Sequence, residues 1–355
     1  MSVRFTVVGV PGERRTELFS QAVRARGLPA PAVLPWRELL IGDPVLPAET
    51  THVRVDSPGG DVETDALLRG AGDPTRVDGG ALWYSRLTGA LRRVAELTAG
   101  RARLLNDPEE IGVMFDKRRC HARLAAAGVP VPPALPEVTG YRELRERMAD
   151  AGWNRVFVKP AHGSSASGVI ALTARGDRIT ATTSAALGPA GLHNSLRVRT
   201  YTDPRDVAAV VDRMAPDGLH VERWFPKAGL GGRSLDLRVV VTAGRPTHAV
   251  VRTSRIPITN LHLGGARGDL PAVRARLGER GWQAALEVCV RAAACFPRSL
   301  AAGVDLMIGS DWQEFAVAEV NAFGDLLPGL DGLPGGGSEG LDTYAAQVEA
   351  VLCTT

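Results

Sequence analysis

The chain has few lysines, few aromatic residues and no long apolar run. Each shortage excludes something. No stretch of about 18 consecutive apolar residues exists, so no membrane-spanning helix is expected. Cys120, Cys289, Cys295 and Cys353 share no CxxC spacing, which removes the usual zinc and redox motifs. Cys289 and Cys295 fall in a helical apolar pattern and are expected to be core thiols. With no signal segment evident, the expected setting is a reducing, cytoplasmic one. The formal net charge of +3 is small and the basic residues form no blocks, so nucleic acid is not an expected partner. Lysine is rare while arginine, alanine and glycine abound, which reads as coding bias. There is no GxSxG elbow for a serine nucleophile and no GK[ST] phosphate loop.

What is present is ordinary for a globular protein: 45% hydrophobic and 23% charged residues over 355 positions, enough for two or three domains. Residues 3–10 read as a buried parallel strand, followed by a turn at Pro11-Gly12 and a helix to about Arg26, the start of a small α/β domain. Gly9 and Gly12 make only half of a dinucleotide fingerprint. Residues 43–80 read mostly as loops around a short strand at 51–56, and 81–99 as an amphipathic helix. Asn106-Asp107-Pro108-Glu109-Glu110 starts a helix that carries Asp116-Lys117 and is expected to run to Gly128. The Val-Pro-Val-Pro-Pro exit at 129–133 marks a domain boundary. Beyond it, strands are expected at 155–159, 168–173, 219–222, 236–243, 246–253, 303–308 and 315–320. A long helix is expected at 271–296 and a last one at about 339–352.

The densest chemistry lies near the C-terminus. Asp305 ends one apolar run, and Glu319 and Asn321, two apart, share one face of the next. Two carboxylates and an amide are hard oxygen donors, suited to Mg²⁺ carried by a nucleotide. Upstream, Val156–Lys159 is a strand ending in lysine, and the loop Ala161 to Val169 is built of small residues. Gly163, Ser164, Ser165 and Gly168 let backbone N–H groups approach an anion. Lys159 adds a point charge for phosphate, and Lys117 gains meaning as a second cation for the same group. Residues 219–226 form a strand running into an irregular segment, where Glu222, Arg223, Trp224 and Phe225 offer a backbone edge to adenine. Arg238 and Arg252 are expected on facing antiparallel strands, a pair suited to a transferring phosphoryl group. A loop from Asn260 to Gly265 follows. His162, His193, His248 and His262 are not at metal-ligand spacing.

Taken in order, Asp116-Lys117, Val158-Lys159-Pro160 with its Gly/Ser loop, Glu222, Asp236-Leu237-Arg238, the Asn260–Gly265 loop, Gly303-Val304-Asp305 and Glu319-Val320-Asn321 resemble the ATP-grasp superfamily, over nearly two thirds of the chain. The arginine-bearing strand followed by Thr-Asn-Leu-His-Leu-Gly-Gly is similar to the RimK-like branch of carboxylate–amine ligases. The resemblance implies an α/β (α+β) fold, two α+β lobes clasping ATP behind a small Rossmann-like pre-grasp domain. It implies boundaries at 1–105, 106–218 and 219–355. Lys117 and Lys159 would meet the α- and β-phosphates, residues 222–225 adenine, and Asp305, Glu319 and Asn321 one or two Mg²⁺. Arg238 and Arg252 would stabilise the γ-phosphoryl group, and Asn260 and Gly265 would line the acceptor side. The implied reaction joins a small-molecule or peptide carboxylate to an amine through an acyl phosphate. A phosphotransferase and a non-catalytic nucleotide-binding partner remain alternatives. Homodimers are common among such ligases, though the sequence itself is silent on assembly. Asp305→Asn is expected to abolish turnover with little loss of folding. Arg54, Asp56 and Trp83, in the unassigned 43–99 segment, are candidate substrate contacts.

Overall fold

The computed structural model describes residues 3–354 apart from Asp177, Ala190, 324–326 and Pro328; the side chain of His262 also lies outside the described residues. The described residues form three sheets in succession along the chain.

The first is parallel. β1 (Phe5–Gly9), α1 (Arg14–Ala25), β2 (Ala32–Pro35), α2 (Trp36–Ile41), β3 (His52–Val55), α3 (Val62–Arg69), α4 (Gly80–Thr98) and β4 (Arg103–Leu104) give the order β2-β1-β3-β4. β1 is buried throughout because both of its faces are covered. Phe5 and Val7 pack on one face with Phe19 and Val23 of α1, while Val8 joins Val53, Val55, Leu87 and Leu91 in a separate core. α3 lies inside the segment expected to be mostly loops.

The next stretch holds α5 (Pro108–Phe115), α6 (Lys117–Ala126), α7 (Tyr141–Asp150), β5 (Arg155–Pro160), β6 (Ile170–Arg175), β7 (Arg178–Gly188), β8 (Gly191–Tyr201), α8 (Pro204–Met214) and β9 (Leu219–Arg223). The single helix expected from about 106 to 128 is two. Asp116, with ψ of 107°, breaks it and then caps α6, its carboxylate accepting from the N–H groups of Arg118 and Arg119. β5 to β9 form an antiparallel sheet in the order β8-β7-β6-β5-β9. Alternation along β5 sends Val156 and Val158 into a core with Leu144 and Met148 of α7 and Val207 and Val211 of α8. Phe157 and Lys159 therefore face the other way. The boundary expected after residue 218 cuts through this sheet, whose last strand, β9, closes only at Arg223.

The third sheet contains β10 (Gly229–Leu230), β11 (Arg233–Thr242), β12 (Arg245–Ser254), β13 (Ala266–Arg267), β14 (Ala301–Ile308) and β15 (Phe315–Asn321), in the order β13-β12-β11-β14-β15 with β10 on β11. α9 (Leu270–Ala294) covers one face, burying Trp282, Leu286 and Cys289 against Leu235, Leu237, Val304 and Leu306. Gly278, with φ of 67°, interrupts this helix. Cys295 lies just past its end and is half-exposed rather than a core thiol, and all four cysteines are free. The face away from α9 carries Asp236, Arg238 and Asp305. α10 (Thr343–Leu352) returns to the first sheet, where Tyr344, Val348 and Val351 complete the core of Phe5 and Phe19. No helix among the described residues is long and apolar enough to cross a membrane.

Candidate active site

The inner faces of the middle and third sheets meet across a cavity of about 280 Å³. The chain contains three lysines, Lys117, Lys159 and Lys227, and all of them line it.

Lys159, at the end of β5, lies 2.5 Å from Glu222 Oε1 on the neighbouring β9, and His220 Nε2 is 3.4 Å from the other oxygen. Burial opposes charge on Glu222. The lysine beside it and the histidine hydrogen bond outweigh that and hold the carboxyl down at about 2. Lys117, the first residue of α6, donates from Nζ to Gly163 O at 2.6 Å and lies 3.3 Å from Glu319 Oε1. It thereby ties the small-residue loop to the third sheet. The same loop is fixed at its root by His162, whose Nε2 lies 3.0 Å from Asp116 Oδ2 and whose ring stacks on Tyr84 with centroids 4.1 Å apart. Burial works against charge on Asp116, but hydrogen bonds from His162 and Arg118 hold its carboxyl well below the usual range.

The loop tip is conformationally unusual. Ser165 and Ala166 both take left-handed backbone, with φ of 54° and 58°, closed by Ser167 N–H donating to Ser164 O at 3.0 Å. Such strain recurs where a backbone must present itself to a ligand. Gly163 through Ser167 line the cavity. Gly168 does not. Its φ is +70°, and a Cβ there would stand 2.7 Å from Val77 Cγ1 and 2.9 Å from Pro160 Cγ. It lets the loop turn back into β6.

On the third sheet, strand register gathers the charges. Asp236 pairs with Arg252 across β11 and β12, Arg238 with Asp305 across β11 and β14, and Asp305 with Glu319 across β14 and β15. Arg238 holds Asp305 through one guanidinium edge by two hydrogen bonds, Nε to Oδ1 and Nη2 to Oδ2, the latter at 3.1 Å. Arg252 Nη2 reaches Asp305 Oδ2 at 3.1 Å, and its Nε donates to Asp236 Oδ1 at 2.7 Å. Thr259 Oγ1 donates to Asp236 Oδ2, and Lys227 Nζ to Thr259 Oγ1 at 2.7 Å. Burial alone would push the Asp305 carboxyl up and the Arg252 guanidinium down. The opposite charges around each reverse the sign, so both are held in their charged forms. Lys227 differs, because burial outweighs Asp236 and lowers it.

Glu319, Asn321 and Asp305 all line the cavity. Among the described residues no three His, Cys, Asp or Glu side chains gather into a metal-holding group. The set here is two carboxylates and an amide, with Asn321 Nδ2 spent on Gly303 O at 3.2 Å. That donor chemistry fits a hard cation that takes its remaining ligands from a bound phosphate.

The whole chain aligns with solved structures of known ligases. The ATP-grasp ligase PsnB, complexed with minimal precursor, Mg and ADP, superposes with a TM-score of 0.55 at 18% identity, over 99% of this chain and 98% of that one. The D-cycloserine synthetase DcsG gives 0.58 at 17%, over 99% of each chain. The macrocyclase MdnC from Microcystis aeruginosa MRC, bound with precursor peptide MdnA, gives 0.58 at 12%, over 99% of this chain and 100% of that one. The chain has the ATP-grasp fold. No family model and no curated protein matches its sequence.

Within the ATP-grasp cavity fall Lys117, Lys159, Gly163, Ser164, Ser165, Glu222, Arg238, Arg252, Asn260, Asp305, Glu319 and Asn321. Arg223, Trp224, Phe225, Gly168 and Gly265 do not line it. Arg223 and Trp224 have their N–H groups committed to Pro133 O and Arg155 O, and the Trp224 ring packs on Phe157. Gly265 closes its own loop, donating to Asn260 O at 3.1 Å. Arg54 and Asp56 are buried off the main cavity. Trp83 lines a second cavity of about 260 Å³, which shares Phe115, Gly163 and Ser164 with the first. The sequence reading passed over Lys227, Arg15 and Ser57, and quoted Asp236 and Thr259 in motifs without giving either a role. Lysine scarcity was the available signal for Lys227: where arginine has replaced lysine almost everywhere, the lysines that remain deserve a reason.

Proposed function

We propose that the protein is an ATP-dependent carboxylate–amine ligase that forms an amide bond through an acyl phosphate. The observation that carries this reading is the convergence of all three lysines, two arginines and the Asp305–Glu319–Asn321 set on one cavity. That PsnB was solved with Mg and ADP supports ATP and Mg²⁺ as the cofactors. The precursors bound to PsnB and MdnC support a peptide as one of the two substrates.

In this reading Lys117 and Lys159 meet the α- and β-phosphates, and the loop from Gly163 to Ser167 closes over them. Glu222 marks the adenine end, with Phe157 and Met307 as apolar walls. Asp305, Glu319 and Asn321 would hold Mg²⁺, which when bound would offset phosphate charge. A substrate carboxylate oxygen attacks the γ-phosphorus and ADP leaves, giving an acyl phosphate. The amine then attacks the acyl carbon, phosphate departs, and the nitrogen gives up a proton. Arg238 and Arg252 stabilise the transferring phosphoryl group and the tetrahedral oxyanion. Because both already grip Asp305, they are fixed before the charge develops. No side chain is required as a covalent nucleophile.

The test is ADP release from Mg·ATP with pooled amino acids, short peptides and a cell extract in the presence of hydroxylamine. ADP together with a hydroxamate is expected, and mass analysis then names the acid. ADP with a phosphorylated metabolite and no hydroxamate would replace the ligase with a kinase.

A further inference from the structure

The first sheet has a crevice of its own that opens into the cavity. In the order β2-β1-β3-β4, the chain leaves β1 to one side for β2 and then crosses to the other side for β3. At the carboxyl ends of β1 and β3 the outgoing loops part, and ligands of parallel sheets bind at such a point. Gly9 ends β1, Arg15 and Thr16 open α1, and Asp56 and Ser57 follow β3. A Cβ on Gly9 would stand 2.8 Å from Thr16 Oγ1 and 3.8 Å from Asp56 Cβ, so both loops press on the strand end.

Six cations line the cavity: Arg15, Lys117, Lys159, Lys227, Arg238 and Arg252. Five are held by carboxylates. Among the described residues, the Arg15 side chain alone of the six has no ion-pair or hydrogen-bond partner, and its Nη1 is shut off from solvent. At the same strand ends Thr16 Oγ1 and Asp56 Oδ2 are also buried without partners among the described residues, in side chains each 1% exposed. Glu13 accepts from Arg15 N at 2.7 Å, and Arg54 binds Gln347 and lies 3.7 Å from Asp56. Arg15 is half-buried, its Nη1 is a donor with nothing to bond, and a planar two-oxygen anion would satisfy it through parallel N–H donors.

We infer that Arg15, with Ser57, forms the subsite that holds the carboxylate of the acid substrate. This rests on the ligase reading. A nucleotide phosphate is the less suited occupant, because Lys117 and Lys159 already supply cations along the small-residue loop, whereas Arg15 comes from a different lobe. Arg15 is then the residue through which the first domain selects what is activated.

The test combines labelling and turnover on the full-length protein. Phenylglyoxal modification, mapped by peptide mass analysis, should reach Arg15 faster than Arg238 or Arg252. A pool of acetate, succinate and amino acids should slow labelling of Arg15, and Mg·ADP should not. In the hydroxylamine assay, Arg15→Gln should raise the acid concentration for half-maximal rate about tenfold or more, with Arg15→Lys between. Affinity for ADP should be unchanged. Protection of Arg15 by Mg·ADP but not by acids would overturn the subsite, as would hydroxamate formation in Arg15→Gln equal to wild type. Should the wild type form no hydroxamate while acids still protect Arg15, the ligase reading falls and the carboxylate site stands.

Discussion

Asp305 and Arg15 face one cavity from different lobes, and they are bound in opposite ways. Asp305 is gripped by two guanidiniums, one of them through two hydrogen bonds, and sits at the centre of a network that reaches Asp236, Thr259 and Lys227. Among the described residues the Arg15 side chain has no hydrogen-bond or ion-pair partner. The first arrangement is part of what keeps the third sheet folded, so its charges are committed before any ligand arrives. The second contributes nothing to the fold that its removal would forfeit. A charge paired within the protein is machinery held in place, and a charge left open is a place for something that comes and goes.

That difference is exposed to measurement. The largest effect is expected for Asp305→Asn, which removes the carboxylate charge that both buried guanidiniums grip and leaves Arg252 to Asp236. The loss should be about 3–5 kcal/mol in denaturant unfolding, together with loss of turnover. The geometry thus revises the expectation of a clean activity knock-out with little cost in folding; wild-type stability in this variant would dissolve the contrast with Arg15. Next comes acid. Glu222 is held at about 2 against an ordinary 4.5, so its stabilisation is complete above 4.5 and fades as pH falls toward 2. The span is on the order of 3 kcal/mol, and Glu222→Gln should flatten that part of the acid unfolding curve. Superimposable acid limbs would show that Lys159 does not hold it. Lys159→Met, which strands Glu222 with only His220, should cost about 2 kcal/mol and weaken ADP binding. Calorimetric titration with ADP checks the second half of that statement. Smallest of all, Arg15→Gln should shift thermal unfolding by no more than about 0.5 kcal/mol in either direction. A loss as large as that of Lys159→Met would reveal that Arg15 has a structural partner after all.

Much of the third sheet was legible because its strands combine apolar runs with charges at a period of two. β11, β12, β14 and β15 were expected within three residues of where they lie, and the pairing of Asp236, Arg238 and Arg252 follows from that alternation. The β7–β8 hairpin escaped notice. Its core face is made of Ile179, Ala181, Thr183 and Ala185, and after Ile179 the side chains are too small or too polar to make a hydrophobic pattern. The break at Asp116 was hidden because the flanking residues continue a good helix, and only the capping geometry of the carboxylate ends it. Arg15 and Ser57 were illegible for another reason. Their importance comes from a sheet order that brings residues 42 apart in sequence to one crevice, and no local motif records that.

The return of α10 to the first sheet has a consequence for how the chain is made. Phe5, Phe19 and Val23 lie near the start, but the Tyr344, Val348 and Val351 that cover them are synthesised more than three hundred residues later. During translation the first lobe must wait with one face open while two further sheets emerge and fold beside it. Its core, and with it the crevice that carries Arg15, is finished only when residues 343–352 leave the ribosome, so the lobe assigned to choosing the substrate is the last to become whole.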